Sequence, residues 1–111
     1  MAQAFLGLKK RPTGLCIVND YVALAFMAEM QRAGVKVPGD VSIIGHDSQP
    51  IAEYCPVPLT CVSQPVEEVA QSVVDLLVKR LDGDQAAPRT VTHQGRLVER
   101  QSVAAPPAAG K

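Results

Sequence analysis

Apolar and polar positions along the chain fall into two alternating patterns. Residues 15–18 are apolar at consecutive positions and stop at Asn19-Asp20. An alanine-rich stretch follows in which Val22, Phe26, Met30 and Ala33 recur at helical spacing, with Leu24, Met27 and Ala28 widening the apolar face. Gly34 and Pro38 close that stretch before a second apolar run, residues 41–44. Strand, helix, strand in that order predicts a parallel crossover unit. Consecutive apolar residues in the first run predict an interior strand covered on both faces, with Cys16 an inert core residue.

Downstream, residues 51–54 can form one helical turn inside a proline-rich loop, and residues 59–63 read as a short third strand that Gln64-Pro65 stops. Residues 66–81 carry the clearest helical stripe after the first, with Glu67 and Glu68 in the first turn, Lys79 and Arg80 in the last, and Gly83 behind them. That stripe predicts a core-facing helix. Residues 89–92 and 96–103 read as short strands around His93-Gln94-Gly95, and residues 104–111 as a disordered tail. At the start, residues 1–11 predict the end of a helix with cations beyond it. The expected domain is residues 1–103.

Composition narrows the function classes. Of 111 residues, 47% are hydrophobic and 20% charged, the content of a folded domain. Eleven basic residues balance eleven acidic ones, so no net charge draws these residues to nucleic acid or to an anionic membrane. Three cysteines without CxxC spacing suggest neither a disulfide framework nor a metal site, and no signal-peptide pattern or long apolar run is present. A cytoplasmic protein without membrane contact is expected.

The candidate chemistry lies at strand ends. Open parallel sheets bind ligands outside the carboxyl ends of their strands, where Asn19-Asp20 and His46-Asp47 fall. Asparagine offers a donor and an acceptor and aspartate an acceptor, which suits vicinal hydroxyls or a purine edge. One member of the pair Asn19-Asp20 is expected to cap the helix, leaving the other for a ligand. His46 could donate to a ligand, but no GxSxG serine or second placed carboxylate accompanies it, so no catalytic residue is expected. No glycine-rich phosphate loop occurs, and no cofactor is expected.

The segments "ND" with its alanine-rich helix, VPGDVSIIG, PLTCVSQP and LVERQS stand in an order and spacing that resembles the carboxyl-terminal portion of LacI/GalR family transcriptional regulators. The resemblance covers about residues 5–103. It implies a partial type I periplasmic-binding-protein-like α/β fold, a parallel sheet flanked by helices, forming the incomplete carboxyl-terminal part of a two-subdomain core. It further implies a small effector, a sugar or nucleobase, contacted by Asn19 and Asp47, to which the strand-end reading adds His46 as a candidate, and a homodimer face including Leu24, Ala28, Tyr54 and Cys55. Gln64 and Pro65 would lie at a crossing between subdomains, the helix at residues 66–81 would belong largely to the other subdomain and expose an apolar face here, and DNA would be bound only through an amino-terminal headpiece outside this chain. The family commonly has an aromatic residue and a second aspartate where His46 and Ser48 stand, which leaves the effector open. A transport solute-binding protein and an autonomous dimerisation module are the alternative readings.

Overall fold

The computed structural model describes residues 1–106. Its elements in chain order are α1 (Ala2–Leu6), β1 (Gly14–Cys16), α2 (Asp20–Arg32), β2 (Ser42–Asp47), α3 (Ile51–Tyr54), β3 (Thr60–Ser63), α4 (Val66–Leu81) and β4 (Arg96–Val98). The strands form one sheet in the order β1-β2-β3-β4, parallel except for the last pair. The predicted crossover unit is therefore β1-α2-β2, and α3 leads into the next parallel strand.

Helix α2 starts where the Asn19 side chain accepts the Val22 amide at 2.9 Å, while the Asn19 backbone stays extended. That contact satisfies one of the first-turn amides that a helix leaves unpaired. The helix ends at Gly34, whose φ of 74° is one that glycine adopts without steric cost. Gly34 and Val35 then donate to the carbonyls of Gln31 and Met30, which closes the last turn in a Schellman arrangement. Ala23, Phe26, Met27 and Met30 form the buried face, whereas Val22 and Ala33 are exposed.

The core lies between α2 and one face of the sheet. Ile17, Ile43, Leu59 and Cys61 come from that face, and Phe5 of α1 closes one side by meeting Phe26 edge-on at 5.4 Å. Burying side chains of this size contributes roughly 1.5–3 kcal/mol each. The opposite face is open: Val18 is 77% and Leu97 55% exposed. Two expectations fail together here. β1 is an edge strand, and Cys16 is exposed because it points to the uncovered face. An all-apolar strand can be buried on both faces only where the chain supplies a second layer.

Helix α4 leaves its stripe uncovered, as the resemblance implies for a helix that packs largely on the other subdomain. It has the expected length and charge placement, yet none of its residues is buried, and Val66, Val73, Leu77 and Leu81 are each more than half exposed. It projects from the sheet and draws the molecule out to 66 × 28 × 23 Å. Residues 84–95 return beside it without forming the strand expected at 89–92, and among the described residues no strand pairs with them. A bond of 2.9 Å between Ser72 Oγ and His93 Nε2 ties this return to the helix.

After β4 the chain passes between the amino ends of β2 and β3. Ser102 is fully buried there, donating to the Ile43 carbonyl at 2.6 Å and accepting the Thr60 amide at 2.8 Å, so one hydroxyl links β2 to the start of β3. Of the expected tail, Ala104 is fixed to the Ser42 hydroxyl, and residues 107–111 lie outside the described residues. Among the described residues no helix is long and apolar enough to cross a membrane.

Candidate functional site

Asn19 and Asp47 stand at the carboxyl ends of adjacent parallel strands. Each lies three residues beyond a member of the registered pair Cys16 and Ile44. His46 and Asp47 are the last two residues of β2 and not part of the loop behind it, a shift from the predicted strand end at residue 44. All three side chains are half-buried.

The division of labour between Asn19 and Asp20 is sharper than expected. Asn19 spends its carbonyl oxygen on the helix cap, leaving Nδ2 to donate to a ligand. Asp20 turns inward and is fully buried. Its Oδ2 accepts the Gln49 amide at 2.6 Å, and its Oδ1 has no partner among the described residues. It is therefore not open to a ligand.

Asp47 carries the densest polar contacts. Its Oδ1 meets His46 Nδ1 at 2.9 Å and accepts from Gln64 Nε2 at 2.5 Å. Gln64, named from the sequence only as a crossing residue, thus touches the candidate aspartate. The register that sets Asp47 opposite Ser63 accounts for this, and pairing of that kind has no local signal in a single sequence. Gln64 and Pro65 also line a polar concavity of about 200 Å³ with Ser63, Glu67, Gln94 and Arg96.

Backbone conformation singles out the same place. Asp47 and Ser48 have φ of 96° and 56°. Residues other than glycine take such values at a cost of about 1–3 kcal/mol, and the cost persists only where surrounding contacts enforce it. Here the contacts include Gln64 on Asp47, Arg100 Nη2 on Ser48 Oγ at 3.4 Å, and Asp20 on the Gln49 amide.

Beneath the site, burial pushes the Cys61 thiol up to about 12, and the neighbouring Asp20 carboxylate adds to the effect against partial opposition from Arg100. Among the described residues no group of three His, Cys, Asp or Glu side chains could hold a metal ion. The arrangement suits hydrogen bonding to a polar ligand.

A second surface lies on the far side of α2. Leu24, Ala28 and Cys55, three of the residues expected at a dimer face, line one apolar groove of about 210 Å³ together with Met27, Val35 and Val57. Tyr54 stands beside it, 78% exposed.

Residues 1–103 match the periplasmic binding protein-like domain family. Over 103 residues the chain is 36% identical to an HTH-type transcriptional repressor PurR of Vibrio parahaemolyticus, covering 93% of this chain and 31% of the repressor. A LacI-type transcription regulator from Bifidobacterium animalis shares the fold with a TM-score of 0.85 at 32% identity, over 94% of this chain and 37% of that one. A LacI family transcriptional regulator from Enterococcus faecalis, solved with bound ribose, superposes with a TM-score of 0.81 at 36% identity over 93% of this chain and 39% of its own. The chain belongs to the LacI/GalR family of transcriptional regulators, whose periplasmic binding protein-like domain it matches in part. It spans about a third of the length of the curated relatives it matches, and those relatives are repressors, not enzymes.

Proposed function

We propose that residues 1–103 form one wall of the effector-binding domain of a LacI/GalR-type regulator, and that Asn19 and Asp47, with His46 beside them, contact the effector. The observation that supports this most is the placement of Asn19 and Asp47 at neighbouring parallel strand ends, with an amide donor on one and a carboxylate acceptor on the other. Such a pair matches the vicinal hydroxyls of a sugar or the edge of a purine. Relatives solved with bound ribose favour the sugar class.

The groove along α2 is the dimer face in this reading. Leu24, Ala28 and Cys55 give it an apolar floor, and Tyr54 an exposed aromatic rim, a composition typical of interface cores. Gln64 and Pro65 carry the crossing toward the other wall of the cleft. DNA would be engaged by a headpiece outside these residues, and the regulator would act in the cytoplasm. The repressor relatives support regulation over solute transport.

A thermal-shift screen of the intact regulator against pentoses, hexoses and purine bases tests the assignment. Stabilisation by one of these classes that vanishes in Asp47→Ala is the expected result. Equal stabilisation of both proteins counts against the site.

A further inference from the structure

We propose that Asp20 is a positioning residue of this site: its buried carboxylate holds the Gln49 amide and thereby sets the left-handed turn that presents Asp47. The consequence for ligand binding rests on the reading of Asp47 given above, whereas the tie itself does not.

Three observations converge on it. Asp20 is fully buried at the start of α2, and a carboxylate is kept in such a place only when something in the fold requires it. Its Oδ2 accepts the backbone amide two residues after Asp47, immediately behind the pair Asp47-Ser48 with positive φ. A carboxyl oxygen on a backbone amide at 2.6 Å is a short, directed tie. Finally, the sheet makes room for it. A Cβ on Gly45 would stand 2.4 Å from Asp20 Oδ1 and 2.8 Å from Leu59 Cδ2, so the strand carrying His46 and Asp47 comes this close to the carboxylate only because residue 45 is glycine.

Asp20 therefore connects the amino end of α2 to the turn that ends β2. Asn19 and Asp47 are held in a common frame through it, since Asn19 caps the same helix whose next residue fixes the turn. Removing the carboxylate frees the Gln49 amide and lets Asp47 and Ser48 relax toward ordinary negative φ.

Amide hydrogen exchange on the full 111-residue chain, followed by NMR, tests this. The quantity read is protection of the Gln49 amide relative to the Ile43 and Cys61 amides in the same sample, a ratio that cancels any global loss of stability. In the unaltered chain Gln49 is protected. Asp20→Ala lowers the ratio at least about tenfold, and Asp20→Asn, whose carbonyl oxygen still accepts, keeps it within about threefold. An unprotected Gln49 amide in the unaltered chain overturns the proposal without any variant. So does an unchanged ratio in Asp20→Ala, or an equal loss in Asp20→Asn. Because an amide of the turn is read and no ligand is added, the outcome is independent of whether Asp47 contacts an effector.

Discussion

Gln64 Nε2 donates to Asp47 Oδ1 at 2.5 Å, joining the residue that follows β3 to the residue that ends β2. The candidate effector contact is thus bonded to the start of the segment that leads into α4. Movement of either one is felt by the other through a single hydrogen bond.

Replacing Gln64 with Ala removes that bond at an exposed position, with little effect on the core. Effector affinity of the intact regulator should fall about three- to tenfold, while unfolding free energy changes by no more than about 0.5 kcal/mol. Titration calorimetry and urea unfolding check the two halves separately. Affinity that is unchanged would detach Gln64 from the site.

Ser102 makes the opposite prediction, for stability without any effect on ligand contacts. Its hydroxyl serves Ile43 and Thr60 where the fully buried Ser102 sits between the amino ends of β2 and β3. Ser102→Ala leaves a carbonyl and an amide unpaired together and should cost about 2–4 kcal/mol. A shift in the urea midpoint at constant slope measures it.

Much of the architecture was legible because it is local. Helices α2, α3 and α4 and strands β2 and β3 follow from spacing, caps and stops that lie within a few residues of each other. What the sequence misplaced depends on partners elsewhere. The run containing Cys16 looks the same in a covered strand as in an edge strand, and residues 89–92 have strand-like composition but no neighbour to pair with. α4 carries a core stripe with no core against it. At the site, Asn19 and Asp47 could be picked out from strand-end logic. Asp20 could not, because an acidic residue before a helical run reads as a cap, and only the fold shows that it turns inward to Gln49.

The three cysteines should separate by accessibility. Cys16 is exposed on the open sheet face, Cys55 is half-buried, and Cys61 is buried with its thiol held near pKa 12. A thiol reagent at neutral pH should label Cys16 first and Cys61 only on unfolding, as mass spectrometry of the labelled chain would report. The raised folded value also fixes an alkaline trend. The stabilising difference is fully present below the ordinary thiol value of 9.0 and is lost as pH rises through about 12, so unfolding becomes easier across that window. Cys61→Ala should flatten this part of the profile, and an unflattened profile would assign the loss to other groups.

The groove along α2 predicts the oligomeric state. Ala28→Glu sets a carboxylate among Leu24, Met27 and Val57, where a partner would have to bury it. Sedimentation of the intact regulator should show dimers that this substitution weakens at least about tenfold. A dimer of unaltered affinity would move the interface elsewhere.

The most direct measurement is calorimetric titration of the intact regulator with the sugar or purine that stabilises it, for the unaltered protein, Asn19→Ala and Asp47→Ala. Losing a hydrogen bond to a charged acceptor costs about 1.5–3 kcal/mol, so Asp47→Ala should weaken binding about ten- to a hundredfold. Asn19→Ala should weaken it as well, and part of its stability cost will be the lost cap at Val22. Binding that survives both substitutions with its dissociation constant unchanged would contradict the assignment of these two strand ends to the effector.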